Sequence, residues 1–217
     1  MGNLFNPENT LFQIFTKVAG VIQLSLLWFL FSIPIITIGA STTALYYTVN
    51  KTLFKNRGYI AQEFWGAFKS NFKQSTIAWI VILFLYILAV LDFYILRSFA
   101  ALANYPNMDY VVLFILLALV TCWANYLFPC IARFANTTGR LLINALIMAL
   151  LNLPWTLLLM VSLAIAIALF YVYPPLLFVV PALYMCCEVL VLERIFRKYM
   201  SPEDLASEDA QNHLETD

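Results

Sequence analysis

Formal charge is scarce in this chain. Asp, Glu, Lys and Arg make up 11% of it, against ~25% in an ordinary soluble domain. There is one histidine, His213, with no metal-ligating neighbours and no partners for a catalytic triad. The four cysteines form neither a C-x-x-C pair nor a metal-ligand spacing: Cys122 and Cys130 share one apolar run, Cys186 and Cys187 another. They read as small, polarizable packing residues rather than a disulfide scaffold. A Gly-x-x-x-x-Gly-Lys-Ser/Thr loop is missing, which excludes an ATP-driven motor of that class, and so is a His-Glu-x-x-His zinc site. No pair of aspartates stands in the apolar runs for proteolysis, and no basic stripe interleaves with aromatics as nucleic-acid binding requires. Enzyme activity, a cofactor and a nucleic-acid partner are therefore not expected.

What fills the chain instead is hydrocarbon: 63% of residues are hydrophobic and the mean hydropathy is +0.85. Ile77–Leu96, Val111–Ile131, Trp155–Tyr173 and Pro175–Ile195 each carry at most one charge before their final flank. A bilayer core of about 30 Å takes about 20 helical residues at ~1.5 Å each, and backbone groups in lipid must be satisfied internally. These runs predict helices, and the chain reads as a polytopic membrane protein whose first partner is the lipid bilayer. The apolar run that starts at Val18 ends in Ser32-Ile33-Pro34 without a small-x-small cleavage site, so it is expected to stay in the membrane.

The zero net charge hides an asymmetry. Glu203, Asp204, Glu208, Asp209, Glu215 and Asp217 all lie in 201–217, which holds no Lys or Arg, leaving twelve bases against six acids elsewhere. Lys51, Lys55, Arg57, Lys69 and Lys73 face only Glu63 in the stretch 50–75, which the positive-inside rule places in the cytoplasm. The connection 98–109 has no base beyond the edge residue Arg97 and is expected outside. Arg133 and Arg140 return the chain inside, Tyr173-Pro174-Pro175 turns outside, and Arg194, Arg197 and Lys198 finish inside. A plasma-membrane location with both termini cytoplasmic follows.

The predicted fold is all-α: one transmembrane helical bundle over 1–200, then a mobile acidic tail over 201–217. About six membrane helices are expected, with five as the alternative. Residues 1–17 read as an interfacial lead-in, with Asn6-Pro7-Glu8-Asn9-Thr10 as turn and cap. A first span covers about 18–33, and Pro34 breaks or kinks it. The ambiguous stretch is 37–53, about 25 Å if helical. It holds Gly39, Ala40, Ser41, Thr42, Thr43 and Ala44, and Ala40-x-x-x-Ala44 fits a close helix contact. It reads as the return arm of a tight hairpin, with a partly inserted or surface helix as the alternative. Phe64, Trp65, Phe68 and Phe72 share one face of a cytoplasmic amphipathic helix over 61–73, suited to lipid more than to a partner. The run 141–173 is too long for one span; Asn152-Leu153-Pro154-Trp155 divides it into an interfacial or tilted helix and a true span.

Ionisable groups inside apolar runs carry the most weight, because their burial is costly without a partner or water. Asp92 lies near the outer end of its run, where Arg97 or headgroups can meet it. Glu188 lies about 10 Å inward of Arg194; it lines a polar cavity, stays protonated, or pairs with Arg133. Arg133, where a helix leaves the bilayer, either snorkels or docks specifically.

The block Pro34-Ile35-Ile36-Thr37-Ile38-Gly39-Ala40-Ser41-Thr42-Thr43-Ala44-Leu45-Tyr46-Tyr47 closely resembles the signature of the YesL-like family of bacterial integral membrane proteins, a domain of unknown function. Ala67–Gln74, Ala132-Arg133-Phe134 with Asn136, Leu153–Leu157 and Arg194–Tyr199 follow in the same order, so the resemblance runs over about residues 4–200. Glu188 belongs to none of these pieces. The resemblance implies an accessory membrane component of oligosaccharide uptake, since such proteins are often encoded beside carbohydrate ABC importers and glycan-degrading enzymes in Gram-positive bacteria. On that reading the partners are ABC permease subunits. The packing or partner contacts would come from Pro34, Thr37, Gly39, Ala40, Ala44, Tyr46 and Tyr47, and from Trp65, Phe68 and Phe72. The alternatives are an autonomous small-solute transporter or channel, with Glu188 and Tyr184 on its path, and a membrane sensor component.

Overall fold

The computed structural model describes residues 10–103, 109–200, 203 and 205. The expectations for residues 1–9 of the lead-in, the tip of the 98–109 connection, and all of the acidic tail (His213 included) but Glu203 and Leu205 lie outside the described residues; residues 10–17 of the expected lead-in are helical and continuous with the first span. Seven α-helices account for nearly all the rest, with no strand among the described residues: α1 Thr10–Ser32, α2 Ile38–Thr48, α3 Ile60–Ala103, α4 Asp109–Arg133, α5 Thr138–Leu151, α6 Leu153–Val172 and α7 Val180–Tyr199. Four contain stretches long and apolar enough to cross a membrane: Phe15–Ser32, Ile60–Ser98, Tyr110–Arg133 and Leu153–Val172. The fold is all-α and compatible with a membrane protein.

Helix ends fall where backbone chemistry requires them. Pro34 follows α1 in an extended conformation and opens a short 3₁₀ turn, Ile35–Thr37. The Thr37 hydroxyl lies 2.6 Å from the Phe31 carbonyl and 2.7 Å from that of Pro34. It thereby caps groups that the end of α1 leaves unpaired. Pro154 sits in the first turn of α6, where its missing N–H costs nothing, so the run 141–173 divides there into a fourteen-residue α5 and a twenty-residue α6.

α2 is the centre of the molecule. It packs against α1, α3, α4 and α7, and Gly39, Ala40, Ser41, Thr43, Ala44, Leu45, Tyr46 and Thr48 are all buried. The approach at Gly39 is especially close. A Cβ there would stand 2.6 Å from Trp79 Cβ, 2.7 Å from the Ser75 carbonyl and 2.8 Å from Phe128 Cε1. Two of the α2 hydroxyls close locally: Thr43 donates to Gly39 O at 2.9 Å and Thr48 to Ala44 O at 2.7 Å, while Ser75 reaches Thr43 at 2.9 Å. Small residues bring backbones together and short hydroxyls tie them, as in lipid-solvated bundles.

Three expectations change. The stretch 61–73 is not a separate surface helix; it is the first third of α3, a single 44-residue helix of about 66 Å. Half of its aromatic face is turned inward: Phe64 and Phe68 are buried, their rings 5.6 and 5.0 Å from that of Phe31. Aromatic stacking within the chain gives those rings a better-packed partner than a headgroup layer. Trp65 and Phe72 remain partly exposed, Lys69 lying 4.7 Å over the Trp65 ring. The expected run 175–195 is also shortened. Pro174–Phe178 forms a 3₁₀ turn, and α7 starts at Val180 with Glu188, Glu193 and Arg194 inside it. It is not among the four long apolar stretches.

Candidate functional site

Two features after α2 shape one end of the bundle. Residues Val49–Phe54 continue the helix as a π turn, a rare, wide geometry found often at functional positions. Lys55 N–H then donates to Asn50 O at 3.2 Å, and Arg57 N–H to Lys51 O at 3.0 Å. Asn56 has φ 51° and Gly58 φ 74°, both left-handed, so the chain reverses sharply into α3. The result carries Asn50, Lys51, Lys55 and Arg57 on one compact unit.

Against this unit stand the ends of α4 and α7. Glu193 is the hub. Its Oε1 accepts from Tyr46 OH at 3.0 Å and from Asn50 Nδ2 at 2.7 Å, and its Oε2 lies 3.5 Å from Arg133 Nη2. Three helices and the π turn are joined through one carboxylate. A partly buried carboxylate with a guanidinium and two neutral donors has its charge and lone pairs met, which is the condition for tolerating it there. A second ion pair braces the unit from α3: Lys51 Nζ lies 2.8 Å from Glu63 Oε2 and 3.4 Å from Tyr47 OH. The Glu63 hydrogen bond holds Lys51 above its ordinary pKa, against a weaker downward effect of burial.

Between these groups lies a hollow of about 290 Å³, walled by Lys51, Lys55, Arg57 and Arg133 with Tyr46, Tyr47 and Asn50. A second hollow of about 290 Å³ shares Asn50 and Lys55 and adds Arg194 and Arg197. Every polar side chain on the first wall can donate a hydrogen bond, and no carboxylate lines it among the described residues.

The residues singled out from sequence divide into groups. Tyr46, Tyr47 and Arg133 meet at this end. Pro34 and Thr37 form the α1–α2 turn, where Trp79 Nε1 donates to Ile35 O at 2.7 Å. Gly39, Ala40 and Ala44 form the packing seam, and Phe68 lies with Phe31, away from the hollow. Asn136 takes part through its backbone carbonyl, which accepts from Gln74 at 2.7 Å. Asp92 is not paired with Arg97: the guanidinium donates to Tyr110 OH at 2.8 Å and faces the Phe93 and Tyr110 rings. Asp92 instead edges an apolar hollow with Leu88, Leu116 and Val120. Glu188 is 2% exposed and accepts from Tyr184 OH at 2.9 Å, while Arg133 pairs with Glu193. The geometric reason is that Glu193 stands about 1.4 helical turns nearer the basic end. Sequence reasoning passed over Glu193, Asn50 and the π turn. The buried positions Met185, Glu188, Val189, Leu192 and Phe196 of α7 define a face at helical spacing, and Glu193 borders it, which was the available signal.

The fold and this end of the bundle define a class: an all-α chain with several long apolar helices compatible with a membrane protein. Residues 21–93 match the family model described as "Protein of unknown function, DUF624". That match covers α1 from its middle, all of α2, the π turn and α3 to Phe93. No curated protein and no solved structure matches the chain.

Proposed function

We propose that this chain is a multi-pass protein of a bacterial cytoplasmic membrane, of the YesL-like type, with six crossings and both termini inside. Its role is that of an accessory subunit bound to the permease of a carbohydrate ABC importer. The carrying observation is how the polar groups are distributed. The interior around α2 is filled largely by Leu45, Tyr126, Leu127, Met185, Leu192 and Phe196, with Glu188 the one buried carboxylate among the described residues, and the main cluster of charged side chains lies at one end. A bundle with a mainly apolar interior and its charge concentrated at one end suits binding better than conduction. Large apolar side chains on the outer faces of α3, α4 and α6, with Trp65 and Phe72 on the flank of α3, supply surface for lipid and for a permease helix.

The test is co-purification in mild detergent from cells expressing the importer, with oligosaccharide uptake measured after deletion. The reading expects a stable complex and reduced uptake. Recovery of the chain alone, with uptake unchanged, removes it.

One observation favours the second reading, an autonomous transporter. Buried Glu188 is held by Tyr184, and Tyr184 borders a side groove of about 380 Å³ with Trp28, Thr42 and Met185. Flux into proteoliposomes that is lost in Glu188→Gln supports transport; no flux for any sugar tried counts against it.

A further inference from the structure

We propose that the hollow between the π turn and the end of α4 binds the phosphate group of a small ligand. That phosphate is borne either by an anionic phospholipid headgroup or by a soluble phosphomonoester. Four cationic side chains, Lys51, Lys55, Arg57 and Arg133, converge on it together with Tyr47 and Asn50. Cations presented by the π-turn connection on one side and by the end of α4 on the other suit a group that spreads up to two negative charges over three or four oxygens. A carboxylate is planar and is satisfied by a single guanidinium. The volume, about 290 Å³, lies at the small end of ligand sites, ~300–1,000 Å³, and fits a headgroup rather than a polymer.

The wall is built before any ligand arrives. Lys51 is fixed by Glu63 and Tyr47, and Arg133 by Glu193. An ammonium has three donors and a guanidinium five, so these contacts orient the heads without exhausting them. Lys55 and Arg57 are half-buried rather than extended, and the π turn ties their backbones to Asn50 and Lys51. Gly58, at φ 74°, allows Glu63 to come in beside the turn: a Cβ there would lie 2.4 Å from Glu63 Oε1. The neighbouring hollow, which Glu193 also lines, brings Arg194 and Arg197 to the same rim, so cations outnumber carboxylates there and favour the approach of an anion.

The proposal goes beyond the permease-subunit reading and is tested on the purified chain alone. Native mass spectrometry in a neutral detergent compares phosphatidylglycerol with diacylglycerol, and glycerol 1-phosphate with glycerol. The wild-type chain should prefer at least one phosphate-bearing probe over its phosphate-free counterpart by about tenfold or more, with the preference falling as salt rises. Lys55→Gln with Arg57→Gln should abolish the preference, and the charge-preserving Lys55→Arg with Arg57→Lys should keep it. Both pairs lie on the connection, and thermal melting confirms that they fold; if the Gln pair melts early, Lys55→Gln alone should lower the preference severalfold. Preference for phosphatidylglycerol only assigns the lipid source, and displacement of that lipid by glycerol 1-phosphate assigns the soluble one. Equal binding of the probes with and without phosphate, or a preference unchanged in the Gln variants, overturns the proposal.

Discussion

Gly58 and Glu63 illustrate how one residue without a side chain positions another with charge. Gly58 takes φ 74° and leaves room for the Glu63 carboxylate, which reaches back to Lys51. Gly58→Ala meets two costs, a left-handed conformation of about 1–2 kcal/mol and displacement of Glu63. The variant should therefore melt earlier than Glu63→Gln, which keeps the backbone at ease; equal melting of the two would remove the steric argument. The ion pair also has a pH signature. Lys51 is raised, chiefly by its Glu63 hydrogen bond. The pair's stabilisation is complete below the pKa of an unfolded lysine and disappears as pH rises through the higher folded value. The melting gap between wild type and Glu63→Gln should hold steady from neutrality to about pH 10 and close above it. A gap that closes below pH 9, or persists unchanged to pH 12, assigns it to something other than this ammonium.

At the scale of elements, what was legible followed from solvent. α4 and α6 are bounded by Arg133 and Pro154 and lie within two residues of the apolar runs Val111–Ile131 and Trp155–Tyr173, because lipid makes a span continuous and the interface ends it. The start of α3 was legible as a helix over 61–73, but not its continuity with the span or the burial of its aromatic face. Glu63, Lys69 and Lys73 give it a loop-like charge density, while the partner of its aromatic face, Phe31, lies on another helix. Glu193 was obscured for a similar reason: it sits in a charged flank next to Arg194, and its three partners, Tyr46, Asn50 and Arg133, come from distant parts of the chain. The small-residue block was legible as a seam, though not the identity of what it touches. A pair of glycines tests the seam. Gly39→Ala drives a methyl into Trp79, Ser75 and Phe128 and should cost about 1–3 kcal/mol. Gly66→Ala, in the first third of α3 with nothing within 4 Å of the added carbon, should stabilise by up to about 1 kcal/mol through helix propensity. Reversible unfolding in mixed detergent reads both, and equal effects would mean that α2 and α3 do not approach as closely as described.

For the whole molecule, the question is how seven helices divide between crossing and not crossing. α5 is fourteen residues long, about 21 Å, short of a 30 Å core. It is held against α4 by Trp123 Nε1 donating to Leu142 O at 2.9 Å and by the Cys130–Met148 contact at 3.9 Å. If α5 does not cross, three helices, α3, α4 and α6, separate Arg57 from Tyr171, and the two lie on opposite sides of the membrane. If it crosses, four separate them and they share a side. Tyr171 is 87% exposed at the far end of α6, and Arg57 stands at the basic end, so a thiol at either place meets reagent. With Cys122, Cys130, Cys186 and Cys187 replaced by Ser or Ala, Tyr171→Cys should react with an impermeant maleimide on intact cells. Arg57→Cys should react only after permeabilisation, as the positive-inside rule requires. Labelling of both from outside would make α5 a crossing and invert the basic end. Labelling of Arg57→Cys alone would keep three crossings between them and reverse the whole orientation, taking the phosphate hollow out of the cytoplasm.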